Sequence, residues 1–308
     1  MQEKHFYDLV EDEHPHEEDR SDRQMRRILV IGAKGMLGRD LATVLRSSPD
    51  FEVIGWDLDE IDIREEKETV DKIERLGPEI IVHLAANTNV DECESQVEQA
   101  LAINAEGTRH VALGALKCQA KVVYLSTDYV FDGKKRAPYL EDDPSNPLNV
   151  YGLSKLKGEQ YLQTLMEDTL IVRTQWLYGK FGRNFITSIL RQAKEKEELQ
   201  IVNDQVGSPT YTVDLARVLC VLIERNARGI FHVTNSGLCT WYDFARAILQ
   251  WSGFEKVRLT PISSRALNRP APRPSFSALS CEKLKREIGV SLRPWPEATK
   301  DYLKSLRP

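Results

Sequence analysis

Tyr151 and Lys155 stand four residues apart in a stretch that reads as the start of a helix from about Tyr151 to Met166. That spacing puts both side chains on one helix face. A free phenol titrates at about pH 10, and a nearby ammonium favours the phenolate and brings that value down. The pair therefore has the chemistry of a proton donor and its tuner. Upstream, Ser126 and Thr127 close the apolar run Val122 to Leu125. Hydroxyls at the carboxyl end of a parallel strand face the ligand crevice of an α/β sheet, and Thr127 is placed to hydrogen-bond a carbonyl oxygen beside Tyr151. Each feature alone is ordinary, because helical Tyr/Lys pairs are common and Ser/Thr turns often close strands.

A third feature gives them meaning. Gly32-Ala33-Lys34-Gly35-Met36-Leu37-Gly38 follows the apolar run Ile28 to Ile31 and opens a helical stretch that ends near Leu45. Gly32, Gly35 and Gly38 serve the tight turn, the approach of the backbone to a diphosphate, and close helix–strand packing. The free N–H groups of the helix start, Met36 and Leu37 among them, suit phosphate. Lys155 is then long enough to reach a nicotinamide ribose. Asp57 ends the second strand, where a carboxylate bonds ribose hydroxyls and favours NADH. Lys34 pulls toward a 2′-phosphate and NADPH. Asp62 and Ile63 follow closely enough to border the adenine. The expected cofactor is NADPH, with NADH also accepted.

These groups need a scaffold, and the pattern supplies one. Strands read at 28–31, 51–56, 80–84, 122–125 and 170–173, with helices between them at 65–76, 95–117 and 151–166. That alternation predicts a Rossmann-type, doubly wound parallel sheet covered on both faces. After residue 176 the alternation loosens, and four prolines between Pro261 and Pro274 exclude a regular helix there. The expected division is a dinucleotide-binding domain over 25–176 with a return at about 207–233. A smaller, interleaved substrate-binding domain takes 177–206 and 234–308. Residues 1–24 form an acidic leader with nine acidic side chains against three Lys or Arg, expected to be disordered; its His5, His14 and His16 read as a solvated tail. The whole chain carries −5, so residues 25–308 are close to neutral. A near-neutral body argues against nucleic acid as a partner. No apolar run is long enough for a membrane span, and no signal core opens the chain. The five cysteines have neither zinc nor redox spacing and read as reduced thiols, so the expected location is cytoplasmic.

The motifs together resemble the dTDP-4-dehydrorhamnose reductase family of extended short-chain dehydrogenases. The matching stretches are GAKGMLG at 32–38, AANTNVDECE at 85–94, STDYVFDG at 126–133, PLNVYGLSKLKGE at 147–159, RTQWLYG at 173–179, NDQVGSPT at 203–210 and TWYDFA at 240–245. The resemblance implies reduction of the 4-keto group of dTDP-4-dehydro-L-rhamnose, with Thr127, Tyr151 and Lys155 as catalytic residues. It implies cofactor contacts at Ala85, Ala86 and Thr88, and substrate contacts at Val90, Asp128, Tyr129 and Trp176. The family's Arg-Pro-Ser pattern fits Arg273-Pro274-Ser275, and an arginine fork suits a diphosphate. A homodimer is among the assemblies the resemblance brings. Some members bridge dimers with a metal, but Val213 stands where such a member has a carboxylate, so no metal is expected. Two other readings belong beside the first. One is a related nucleotide-sugar reductase or epimerase. The other is a non-catalytic, NADP-binding subunit like the regulatory subunit of methionine adenosyltransferase, which NDQVGSPT matches less well than it matches the reductases.

Overall fold

The computed structural model describes residues 25–306. The acidic leader and its histidines lie outside them. Six parallel strands build the main sheet: β1 (Arg26–Ile31), β2 (Phe51–Trp56), β3 (Ile80–His83), β4 (Lys121–Thr127), β5 (Thr169–Thr174) and β6 (Gly229–His232). Their order across the sheet is β6-β5-β4-β3-β1-β2. The order reverses between β1 and β3, which opens a crevice at the carboxyl ends of those strands.

Period-two alternation shows why the strands are apolar throughout. Ile28 and Val30 of β1 enter one core with Leu41 and Leu45 of helix α1 (Met36–Arg46). Leu29 and Ile31 enter the opposite core with Ile73 of α2 (Glu66–Leu76) and Val111 of α3 (Gly107–Cys118). Helices thus cover both faces, as a buried parallel sheet requires. Helix α4 (Val150–Leu165) adds Leu162 to the second core, and α5 (Thr212–Glu224) adds Leu215 and Leu219 to the first.

A separate core holds Tyr178, Ile186, Ile189, Phe244, Ile248 and Tyr302. Its strands are two to five residues long and pair in twos. The segment after residue 234 does not stay on that side. Leu284, Ile288 and Leu292 pack into the sheet core beside α5, because the helix Glu282–Ile288 folds back under β6. Tyr211, inside the expected return, packs instead in the separate core with Tyr178 and Tyr302.

The long helix predicted over 95–117 is broken. Short helices run over Val90–Ser95 and Val97–Leu101, and Ala102–Glu106 forms a π-helical turn before α3 begins. Gln96 leaves helical geometry at φ −123° and ψ 56°. The π turn carries Asn104, whose side chain bonds Asn87 from both ends and donates to Ser154 Oγ at 2.9 Å. Inserted turns of this kind gather at functional sites, where they aim a side chain that a regular helix would misplace.

Candidate active site

The glycine turn is dense with backbone. Gly32 has φ +87°, and a Cβ there would meet the Ala85 nitrogen at 2.8 Å. A Cβ on Gly38 would meet the Gly32 carbonyl oxygen at 2.2 Å. Gly35 caps α1 without any side-chain hydrogen bond, so the helix start presents bare N–H groups. Leu37 buries its side chain in the sheet core and leaves only its backbone to the crevice. Met36 lies against the segment that follows β5, with its Cγ 3.2 Å from a Cβ placed on Gly179.

Beside this turn lies a cleft of about 380 Å³ lined by Gly32, Asp57, Asp62, Ile63, Ala85 and Ala86, among others. Thr88 is exposed and does not line it. Asn87, inside the AANTNVDECE stretch, and Gln99 and Ile103, which no sequence motif marked, do line it. Ile63 packs its Cδ1 over Gly107, within 2.7 Å of where a Cβ would stand. Asp57 accepts the Lys34 backbone N–H at 2.8 Å. The Lys34 ammonium, expected to await a phosphate, is engaged by Asp59 at 2.5 Å and lies 3.6 Å from Glu60. Asp62 is held by Arg64, whose fork pulls its carboxyl below the ordinary range. A dinucleotide fits the features present: a cradle that a Cβ would fill, an uncapped helix start and a carboxylate at the end of β2.

The proton-handling groups meet where β4 ends against α4. Burial pushes the Tyr151 phenol up from its ordinary value, while the Thr127 hydroxyl pulls it back. Lys155 was expected to bring Tyr151 down, but burial and Asp128 instead hold the phenol in its protonated form. Lys155 itself is driven by burial down to about 7, with Glu159 pulling upward. Its ammonium sits 4.0 Å from the centre of the Tyr124 ring. Thr127 donates to Asp128 Oδ1 at 3.0 Å and accepts the Tyr129 N–H at 3.2 Å. Burial raises the Asp128 carboxyl to about 7, against the pull of the Ser277 and Thr127 hydroxyls. Tyr129 meets Tyr151 edge to face, with ring centres 5.9 Å apart.

The start of α4 is fixed from three sides. Asn149 Oδ1 accepts the Gly152 N–H at 2.8 Å, and Glu94 accepts the Val150 N–H at 2.8 Å. Asn149 Nδ2 donates to the Pro272 carbonyl at 2.8 Å, tying the helix to the proline-rich loop. That loop carries Arg273. Its fork grips Asp91 through two bonds of 3.0 and 2.9 Å and also donates to the Ala271 carbonyl. Val90 begins the same short helix as Asp91, half-buried behind the Asn89 cap. Trp176 has a left-handed backbone, φ +48°, and stacks on Trp241 with centres 3.6 Å apart. Gln175, passed over in the sequence, is 3% exposed, and neither end of its amide has a partner within the protein. Its Oε1 and the Trp176 ring occupy the space above Gly207 that a Cβ would need. The RTQWLYG, NDQVGSPT and TWYDFA stretches therefore converge on one wall. Among the described residues no group of three or more His, Cys, Asp or Glu gathers in metal-binding fashion, and no helix is long and apolar enough to cross a membrane.

A glycine turn at the switch point of a doubly wound sheet, facing a Tyr/Lys helix and a hydroxyl-bearing strand end, is the arrangement of an extended short-chain dehydrogenase/reductase. Residues 25–307 match the family model for the RmlD substrate binding domain. The spore coat polysaccharide biosynthesis protein SpsK of Bacillus subtilis (strain 168) is 40% identical over 280 residues, 91% of this chain and 98% of its own. A dTDP-4-dehydrorhamnose reductase of Aggregatibacter actinomycetemcomitans is 37% identical over 90% of this chain and 98% of its own. The crystal structure of the dTDP-4-dehydrorhamnose reductase of Bacillus anthracis str. Ames in complex with NADP superposes with a TM-score of 0.88. It is 36% identical and covers 92% of this chain and all of its own. The chain belongs to this dTDP-4-dehydrorhamnose reductase family.

Proposed function

We propose that the chain reduces dTDP-4-dehydro-L-rhamnose with NAD(P)H and a proton, giving dTDP-L-rhamnose and NAD(P)+. Family membership over nearly the whole described chain supports the substrate class. The observation that supports the chemistry is the Thr127 hydroxyl against Tyr151 where β4 ends, with Lys155 one turn further along α4. The dihydronicotinamide supplies a hydride when bound. Tyr151 gives its proton to the oxygen at C4, and its raised pKa keeps that proton in place until the oxygen gains charge. Thr127 orients the carbonyl beside Tyr151. Lys155 holds positive charge near both. Asp128, its carboxyl raised by burial to about 7, presents less than a full negative charge to a dianionic diphosphate near neutral pH. Val90, Tyr129 and Trp176 form the sugar-side wall, and Arg273 meets the diphosphate.

The dinucleotide is held by Gly32, Gly35, Gly38, the N–H groups of Met36 and Leu37, Asp57, Asp62, Ile63, Ala85 and Ala86. Three carboxylates, Asp57, Asp59 and Glu60, crowd the end of β2 with Lys34 among them. They suit the ribose diol of NADH. NADPH is accepted when Lys34 leaves Asp59 for the 2′-phosphate, as the NADP complex of the relative supports. The name of the Bacillus subtilis relative supports a product destined for surface polysaccharide.

The test is oxidation of NADH and NADPH against a panel of 4-keto nucleotide sugars. Tyr151→Phe keeps the ring and removes the transferable proton, so turnover falls by about 10²–10⁴-fold with cofactor affinity unchanged. Near-normal turnover in that variant would remove Tyr151 from the role.

A further inference from the structure

Glu159 lies one helical turn beyond Lys155 and two beyond Tyr151, on the same face of α4. Its side chain is 1% exposed, and that of Arg173, facing it, is 4% exposed. Arg173 donates from Nε to Oε1 at 3.0 Å and from Nη2 to Oε2 at 2.6 Å. The Ser126 hydroxyl donates to the same Oε1. Ser126 stands on β4 immediately before Thr127, and Arg173 is its register partner on β5. One carboxylate thus joins the helix that carries Tyr151 and Lys155 to the two strands that end at the crevice. Arg173 also reaches the Glu141 carbonyl and Ser145 in the loop leading into α4.

A buried ion pair is a poor way to stabilise a core, because desolvation offsets most of the attraction and apolar residues do as well. What the pair supplies that apolar residues cannot is direction and charge. We infer that Glu159, anchored by Arg173, is a positioning residue for the reduction: it fixes α4 against the strand bearing Thr127 and keeps the Lys155 ammonium charged. The inference rests on the reaction proposed above.

The surroundings of Lys155 leave that charge to Glu159. From its own helix Tyr151 and Glu159 face it. From β4 comes the Tyr124 ring, whose phenol burial keeps protonated. From β3 comes His83, driven by burial down to about 3 and therefore neutral. Burial pushes Lys155 to about 7, and Glu159 pushes it back up. Without that carboxylate Lys155 sheds its proton at lower pH. Turnover that needs the ammonium falls as pH rises through the Lys155 pKa, so the alkaline limb of kcat moves toward acid.

The experiment is the pH profile of kcat and KM for NADH oxidation with the 4-keto dTDP-sugar, in three variants whose folding is checked by cofactor binding. In Glu159→Gln the alkaline limb moves down by about one pH unit, with kcat near neutrality down about tenfold and KM little changed. The double variant Glu159→Gln, Arg173→Gln leaves no lone buried charge and carries a smaller shift in the same direction, because loss of the Arg173 cation offsets part of it; it serves where the single variant fails to fold. Glu159→Asp keeps both charges on a shorter side chain that cannot span Ser126 and Arg173 together. There the limb stays and kcat falls several-fold. Folded Gln variants with an unmoved limb overturn the charge role, and a full-rate Glu159→Asp enzyme overturns the clamp. A wild-type chain that binds NADH yet reduces none of the 4-keto sugars sinks the reaction itself. An active wild type with unmoved variants sinks only this inference.

Discussion

Two arginine–carboxylate pairs border the crevice, and they are built to opposite ends. Glu159 and Arg173 are sealed in the sheet core at 1% and 4% exposure. Asp91 and Arg273 join the short helix after β3 to the proline-rich loop, 182 residues apart in the chain, and remain 32% and 12% exposed. The sealed pair has only neutral partners besides itself, Ser126 for Glu159 and the Glu141 carbonyl and Ser145 for Arg173, and neither charge is open to solvent. The open pair does reach solvent. An incoming diphosphate offers Arg273 the same two-pronged geometry as Asp91 and more negative charge. On the proposed function one pair is architecture, and the other is an occupied seat waiting for exchange.

Stability separates them most strongly. Glu159→Ala strands a buried guanidinium, so unfolding free energy falls by about 3–5 kcal/mol. Asp91→Ala changes it by no more than about 1 kcal/mol. Urea titrations of both variants check this, and equal losses would erase the distinction. The open pair shows its character in binding. Arg273→Ala removes a charge-assisted bond of about 1.5–3 kcal/mol, so dTDP affinity measured by calorimetry drops by about ten- to a hundredfold. NADH affinity stays put, because the glycine turn lies across the crevice.

Asp128 sharpens the contrast as a buried acid that meets no cation and takes up a proton instead. Its folded pKa, about 7, stands above the ordinary carboxyl value. Folded chains then hold a proton that unfolded chains lack between roughly pH 4 and pH 7, so this group adds stability as pH falls through that window. Buried His232 works the other way: it stays neutral down to about 3 while its unfolded form gains a proton below about 6.5. Replacing Asp128 by Asn removes the opposing contribution. Stability should then fall more steeply below pH 6.5, by about 1.4 kcal/mol more per pH unit. Melting curves at several pH values would give the slope, and an unchanged slope would mean that Asp128 is ionised when folded.

The smallest effect is the most pointed. Asp91→Asn frees Arg273 from its internal anion, and dTDP should bind about two- to fivefold tighter. Weaker binding would show that Asp91 aims Arg273 rather than competing for it.

The legible part of this molecule is the part set by local rules. Phe51–Trp56 was readable to the residue because an apolar run lies between two turns, and the glycine turn because only glycine tolerates the contacts at Gly32 and Gly38. The illegible parts depend on partners far along the chain. Nothing in residues 95–117 announces the π turn, since Asn104 is held by Asn87 and Ser154. Nothing near Arg273 names Asp91, and nothing beside Lys34 shows that Asp59 already holds it. The strands paired in twos outside the main sheet, several only two residues long, are too short to carry a period. Gln175 lies inside the RTQWLYG stretch, but nothing in its neighbours Thr174 and Trp176 shows that the amide is buried without a partner.

The stacked indoles of Trp176 and Trp241 have a practical consequence. Rings 3.6 Å apart and nearly parallel, at 13°, share their excited states. On the proposed function that pair stands on the sugar-side wall, so near-ultraviolet circular dichroism of the indoles is expected to respond to the substrate. A sugar bound there would shift one chromophore against the other, so its arrival should be readable without any dye, coupling enzyme or turnover.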